Sequence, residues 1–250
     1  MPKRQHQQTR SLRPVLHTLI DSAMLYRIAF PLWIGISSWL LIPFVASVVS
    51  TIAAPLIPQP VETLLNIFII ATTAIIGIWV VVMIILASAK AYENKPLDQK
   101  QFSKESWLIV WRLFVASLIK GALVLGGALL FIIPGIILSI QFAFTELRVV
   151  IEKESPLQAL SSSRELVRGK FWSVAWRVVA GLLIIAAIQT TIMIMFFGIG
   201  LNITGESGVS IAANPPLWSD IISTLLDVIF VPLYALYMTN LYFEIKKIKK

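Results

Sequence analysis

The chain has 250 residues, of which 57% are hydrophobic and only 14% are charged, a composition outside the range of a soluble globular domain. Its net charge of +8 would suit a nucleic-acid-binding protein, but the basic residues flank apolar runs, which favours a membrane protein that binds no nucleic acid. Because the chain has no cysteine, disulfides, thiolate metal sites and cysteine nucleophiles are excluded.

The N-terminal region is basic and precedes the first long apolar run. Pro14 suits the first turn of a helix, and apolar residues recur on one side at helical spacing. These residues are Leu12, Val15, Leu16, Leu19 and Ala23. The pattern predicts an amphipathic helix over about residues 12–26 that lies on the membrane surface.

Apolar runs long enough to cross a bilayer follow, since a spanning helix needs roughly 20 residues. The predicted spans cover about residues 28–51, 63–89, 107–133, 136–151, 172–198 and 218–243. The predicted fold is therefore all-α, a polytopic membrane protein forming a single integral membrane domain with six transmembrane helices.

Pro134 and Gly135 decide between five and six spans, because they either kink one long helix or separate two. With a turn at these residues, both termini and both long linkers lie on one side of the membrane. All 21 Lys and Arg residues then fall on that side. The positive-inside rule therefore predicts a structural turn at Pro134-Gly135 and cytoplasmic termini.

The linker after the fourth span predicts a second interfacial helix over about residues 156–170. Ser155-Pro156 is a cap and first-turn signal. Apolar residues that include Leu157 and Leu160 share one face of this helix. Basic side chains border that face, and they are predicted to contact anionic lipid headgroups at the cytoplasmic surface: Arg164, Arg168 and Lys170.

Polar residues inside the predicted spans form a candidate intramembrane cluster, because charges in hydrocarbon are usually retained for pairing or function. Its members are Lys120, Gln141, Arg148, Gln189, Asp220 and Asp227. The depths of Lys120 and Asp227 predict an ion pair with Gln189 as a further donor. The cluster is either a buried network that fixes helix register or a pathway for a solute, ion or lipid headgroup.

No catalytic motif is present, and the sequence predicts neither an enzyme nor a cofactor or metal site. The two histidines, His6 and His17, lie in the basic N-terminal region, where an acid-base or metal role is not expected. The sequence contains no P-loop, no G-x-S-x-G and no H-E-x-x-H motif.

One region resembles a known family over about residues 120–185. Its motifs are Ile133-Pro134-Gly135-Ile136, Pro156-Leu157-Gln158-Ala159-Leu160, Ser163 and Gly169 through Trp172. They resemble those of YciC-like bacterial inner-membrane proteins and of the membrane domain fused to some glycerophosphoryl diester phosphodiesterases. The resemblance implies a six-helix bundle in the bacterial inner membrane. No phosphodiesterase domain accompanies it, so that activity does not carry over.

Two functions of different classes follow from these features. The first is a non-enzymatic inner-membrane protein that organises envelope lipids or binds membrane-protein partners through its basic surface helices. The alternative is a small transporter or channel that uses the intramembrane polar residues. Transport requires those residues to be water-accessible, whereas a scaffold keeps them dry.

Overall fold

The computed structural model describes residues 12–97, 99–204 and 216–249, and these are helical with no β-strand among them. Short 3₁₀ turns at Ser38–Leu40 and Ala54–Leu56 flank the third helix. The helices are α1 (Val15–Ile28), α2 (Phe30–Ser37), α3 (Leu41–Ala53), α4 (Gln59–Tyr92), α5 (Gln99–Leu130), α6 (Ile132–Gln141), α7 (Thr145–Ile151), α8 (Pro156–Val167), α9 (Phe171–Thr204) and α10 (Leu217–Lys249).

Within the described ranges, six helical segments are long and apolar enough to cross a membrane, which confirms the predicted fold class. They are Phe30–Leu56, Gln59–Tyr92, Gln99–Leu130, Ile132–Ile151, Phe171–Ile203 and Leu217–Ile248. The first consists of α2 and α3, and the fourth consists of α6 and α7. The protein is therefore a multi-pass membrane protein. Four of its helices have 32 to 34 residues and exceed the length that hydrocarbon alone requires.

The turn between the third and fourth spans lies three residues earlier than Pro134-Gly135, so that prediction is corrected in position. Phe131 alone separates α5 from α6, and its backbone is extended, with φ −159° and ψ 145°. Pro134 occupies the first turn of α6, where a missing N–H removes no helical hydrogen bond. Gly135 lies against Ala128, whose Cβ would be 2.7 Å from any Cβ added to Gly135. Pro134 and Gly135 thus lie in the first turn of α6, and Gly135 allows this turn to pack closely against α5.

The fourth span is broken at Phe142–Phe144, between α6 and α7, and α8 provides a hydrogen-bonding side chain at the break. The Ser163 hydroxyl of α8 donates to the Gln141 carbonyl at 2.8 Å and accepts from the Phe144 amide at 3.2 Å. A buried backbone group without a partner is costly, so this side chain stabilises the bend. It also fixes α8 against the middle of a membrane span.

The tightly packed core lies at the end of the bundle where α1, α7 and α8 are found, which we call the α8 end. Along α4, residues 79–89 are buried except for the partly buried Val81, whereas Leu64 and Phe68 in its other half are exposed. Phe102, Phe144 and Tyr242 are fully buried at the α8 end. At the opposite end the helices therefore present apolar side chains outward, as a lipid-facing surface does.

The predicted N-terminal helix exists as α1, but its buried side is polar. Thr18 donates to the Glu244 carboxylate at 3.4 Å, and Asn240 donates to the Ser22 hydroxyl at 2.7 Å. The equal spacing of these contacts shows that α1 runs antiparallel beside α10. Leu16, by contrast, is exposed. The side that the sequence assigned to the membrane is divided, because Leu16 and Ala23 are exposed whereas Leu12 is buried and Leu19 packs against the core.

Candidate functional site

A cavity of about 1150 Å³ opens beside α8. It is bounded by α5, α6, α8 and the start of α9, and apolar side chains such as Leu123 and Ile137 form much of its wall. Arg164 and Arg168 lie at its edge together with Trp172. The cavity exceeds the roughly 300–1,000 Å³ that is usual for small-molecule sites. We call it the α8 cavity.

The wall contributed by α8 is held at both ends of that helix. Ser155 caps the N-terminus in a capping box, in which the Gln158 side chain reaches back to the Ser155 amide at 3.3 Å. Leu160 and Val167 are buried against neighbouring helices, and Ser163 is anchored to the bend of the fourth span. Of the apolar face that the sequence assigned to the lipid surface, Leu160 and Val167 are therefore packed against protein, whereas Leu157 is exposed.

The three basic residues predicted to contact lipid have different positions. Arg164 and Arg168 are exposed and line the α8 cavity, whereas Lys170 is exposed but does not line it. Within the described part of the chain, no salt bridge engages any of the three. Two guanidinium groups at a mostly apolar opening can bind an anionic group such as a phosphate.

Lys120 pairs with Glu146 and not with Asp227, so the predicted Lys120–Asp227 pair is wrong. Lys120 Nζ lies 2.7 Å from Glu146 Oε1, and about a quarter of each side chain is exposed. The α5–α6 hairpin turns tightly at Phe131 and brings the first turn of α7 alongside the middle of α5. A local antiparallel neighbour therefore supplies the counter-charge.

Arg148 and Glu152 belong to a second ionic group at the α8 end. Arg148 Nη1 donates to Glu154 at 3.3 Å, and the Glu152 carboxylate accepts from Lys246 and from Tyr242 at 2.9 Å. Burial raises the pKa of Glu152, but the hydrogen bonds and the nearby cations outweigh it, so the pKa lies below its usual value. This group joins α7 to α10.

Gln189 and Asp227 do meet, as predicted, between α9 and α10. Gln189 Nε2 donates to Asp227 Oδ1 at 3.0 Å, and Tyr234 donates to Gln189 Oε1 at 3.3 Å. Asp227 is exposed and forms no salt bridge with any residue that the structure describes. We call these three residues the Asp227 group. Asp227 and Tyr234 lie 10 and 17 residues after Leu217 at the start of α10, and Gln189 lies near the middle of α9.

Asp220 lies apart from both ionic groups. It lines a separate cavity of about 200 Å³ between α3 and the start of α10, with Ser47, Thr51 and Thr224 among its neighbours. Gln141, the remaining member of the predicted cluster, lines the α8 cavity and supplies the carbonyl that binds Ser163. The six predicted residues are thus divided among five places.

Sequence analysis did not select Glu146, Tyr242 or Lys246, although each contributes to an ionic group. A usable signal existed for Glu146, because it is a charge inside an apolar segment whose hairpin partner contains Lys120. No such signal marked Tyr242 and Lys246, which reach Glu152 only through the packing of α7 against α10. Among the described residues, no group of His, Asp or Glu side chains could hold a metal ion.

Comparison with protein families shows that one family model covers most of the residues described above. A family model described as a domain of unknown function, DUF7847, matches residues 108–245. The match runs from α5 into α10 and includes the α8 cavity, the Lys120–Glu146 pair, the Asp227 group and the second ionic group except Lys246. No curated protein and no solved structure matches the chain. Because the matched segment covers more than half of the 250 residues, the chain belongs to the DUF7847 family.

Proposed function

We propose that the protein is a non-enzymatic membrane protein that binds an anionic phospholipid in the α8 cavity. The observation that carries this proposal is the juxtaposition of Arg164 and Arg168 with a large apolar cavity. An anionic phospholipid has the same two parts, a phosphate and acyl chains. Each basic residue near an anionic membrane surface contributes about 1 kcal/mol of attraction.

The cavity walls support a lipid over a small polar ligand. Leu123 and Ile137 come from membrane-spanning helices, so an acyl chain in contact with them would remain among apolar side chains. Trp172 is exposed at the rim, and amphipathic rings of this kind favour the boundary between headgroups and acyl chains. A water-soluble ligand would gain little from such walls.

The proposal places the α8 end at the cytoplasmic face of a bacterial inner membrane, with both termini on that side. The distribution of Lys and Arg supports the orientation, and the resemblance of residues 120–185 to bacterial inner-membrane proteins supports the location. Since the chain lacks cysteine, single cysteines introduced at Gln59 and Asn94 can test it. An impermeant maleimide should label intact spheroplasts at Gln59 only. Labelling at Asn94 instead would reverse the orientation.

The alternative, a transporter or channel, has weaker support. A solute pathway needs polar groups that follow one another across the membrane, enclosed from the acyl chains. Here Lys120 is paired with Glu146 between α5 and α7, whereas the exposed Asp227 binds Gln189 of α9 and the exposed Asp220 lines a cavity against α3. The polar residues therefore form separate groups instead of a continuous path.

Native mass spectrometry can test lipid binding with purified protein in nanodiscs that contain equal amounts of phosphatidylglycerol and phosphatidylcholine. The wild type should retain phosphatidylglycerol preferentially. Changing Arg164 and Arg168 together to glutamine should weaken that binding about 30-fold, because about 2 kcal/mol of attraction is lost.

Lys170→Gln is the matched control, because it removes the same charge from the same segment outside the cavity. It should weaken phosphatidylglycerol binding less than Arg164→Gln or Arg168→Gln does as a single change. Leu123→Trp should reduce binding without any change of charge, since the larger side chain would occupy the cavity. Equal retention of the two lipids by the wild type would refute the proposal. So would an equal effect of the lysine and arginine changes, which would indicate general surface attraction.

A further inference from the structure

Asp227 is exposed on the outside of the bundle, in a part of α10 that crosses the membrane, beside the half-buried Gln189 and Tyr234. Asp227 lies ten residues after Leu217, the first residue of α10, which is about 15 Å along the helix at 1.5 Å per residue. A charged side chain at such a depth costs several kcal/mol unless a partner or water compensates it. Its hydrogen-bond partner within the described part of the chain is Gln189, an uncharged donor.

Two neighbouring interactions hold this carboxylate in place. Tyr234 donates to Gln189 Oε1, which leaves the amide nitrogen of Gln189 to donate to Asp227 Oδ1. Gln189 lies in the interface of α9 with α10, where Gly181 allows the ring of Tyr237 to approach closely. Gln189, itself bound by Tyr234, therefore orients one oxygen of the carboxylate, Oδ1.

A polar stripe continues from Asp227 along the same side of α10. Asp220, Thr224, Asp227 and Tyr234 are spaced by four, three and seven residues, so they share one side of the helix. Asp220 and Thr224 line the 200 Å³ cavity against α3, and Tyr234 lies towards α9. The stripe thus occupies the side of α10 between α3 and α9, and both carboxylates are exposed there.

We propose that this side of α10 is the docking surface for a transmembrane helix of another protein that presents a lysine or arginine opposite Asp227. Charge complementarity identifies the occupant, because a carboxylate in hydrocarbon is best compensated by a cation. A second copy of this chain does not supply one. Lys120, the described cation at a depth comparable with that of Asp227, is bound to its own Glu146, and Arg112, Arg148 and Arg177 lie nearer the α8 end of their spans. An enclosed solute path is not favoured either, because the stripe is open to the side.

This proposal is independent of the lipid site and can be tested with synthetic peptides. The full-length protein, labelled with a fluorescence donor, is reconstituted in phosphatidylcholine vesicles with an acceptor-labelled peptide of about 24 Leu and Ala residues carrying one central Lys. A matched peptide has Met in place of that Lys. The Lys peptide should bind the wild type roughly 5- to 30-fold more tightly than the Met peptide, the range that polar helix–helix contacts provide.

Three variants assign that preference to one carboxylate. Asp227→Asn keeps the shape and the hydrogen bond to Gln189 but removes the charge, and it should abolish the preference for Lys. Asp227→Glu should retain it, and this result also shows that substitution at this position leaves the fold intact. Asp220→Asn removes a carboxylate of the same stripe that lies nearer the N-terminus of α10, and it should leave the preference for Lys unchanged.

Three results would overturn the proposal. The first is equal binding of the Lys and Met peptides by the wild type. The second is a preference for Lys that survives Asp227→Asn. The third is self-association of the wild type, measured between donor- and acceptor-labelled copies without peptide, that is lost in Asp227→Asn, because it would make a second copy the occupant.

Discussion

The Lys120–Glu146 pair allows a quantitative test of how α5 is joined to the fourth span. The two charged atoms are 2.7 Å apart, and about three quarters of each side chain is buried. At an effective dielectric constant of about 20, their direct attraction is about 6 kcal/mol, most of which offsets the cost of removing both charges from water. Breaking a fully buried pair by removing one partner costs roughly 3–5 kcal/mol. With partial exposure we expect about 2 kcal/mol.

Lys120→Met and Glu146→Gln should therefore each lower the free energy of unfolding by about 2 kcal/mol, because each strands one charge. The double variant should lose only about 1 kcal/mol, which corresponds to a coupling energy of about 3 kcal/mol. Unfolding in mixed micelles with increasing SDS, followed by far-ultraviolet circular dichroism, measures all four proteins. Single effects that add within about 0.5 kcal/mol would refute the pair.

The same assay separates this pair from the one that charge and depth alone suggested. Lys120→Met combined with Asp227→Asn should be additive, because Asp227 binds Gln189 and makes no contact with Lys120. Coupling in this second cycle, and none in the first, would mean that Lys120 has a different partner in the membrane.

Two further predictions concern packing and pH. Gly181→Ala should destabilise the protein by about 1–3 kcal/mol in the same unfolding assay, because the added Cβ would lie 2.0 Å from the ring of Tyr237. Gly126→Ala, whose added Cβ would have nothing within 4 Å, should be neutral or slightly stabilising. Equal effects of the two changes would contradict this packing. The pKa of Glu152 is held below its ordinary value of 4.5, so the stability that its bond with Lys246 contributes is present above that pH and is lost as the pH falls further. Glu152→Gln should therefore flatten the dependence of stability on pH below about 4.5, and an unchanged slope would show that other carboxyls determine it.

The sequence was sufficient for the number and order of the spans, because span length and Lys/Arg distribution are one-dimensional properties. It was less accurate for breaks within spans. Pro134 suggested the hairpin turn, yet the turn residue is Phe131, since proline is best accommodated in the first turn of the following helix. The break at Phe142–Phe144 had no sequence signal, because the hydroxyl that stabilises it comes from Ser163, about 20 residues later.

Predictions of side-chain partners succeeded only where the helices concerned are consecutive spans. Gln189 and Asp227 lie in consecutive spans, and their similar depth was enough to predict the contact. Lys120 and Asp227 have comparable depths too, but depth does not specify which helices are neighbours around the bundle. Likewise, the amphipathic pattern of α1 revealed a helix but not its partner, because its buried contacts depend on Asn240 at the far end of the chain.

The Ser163 bridge makes α8 and the fourth span one cooperative unit. If α8 left the bundle, the Gln141 carbonyl and the Phe144 amide would both lose their partner in a low-dielectric setting, at a cost of roughly 1–3 kcal/mol each. The Phe144 amide should then exchange its hydrogen on the timescale of the spans, not that of a surface helix. Any ligand that moves α8 must consequently move a membrane-spanning helix with it. Occupation of the α8 cavity on one side of the membrane would be transmitted mechanically towards the hairpin at Phe131 on the other.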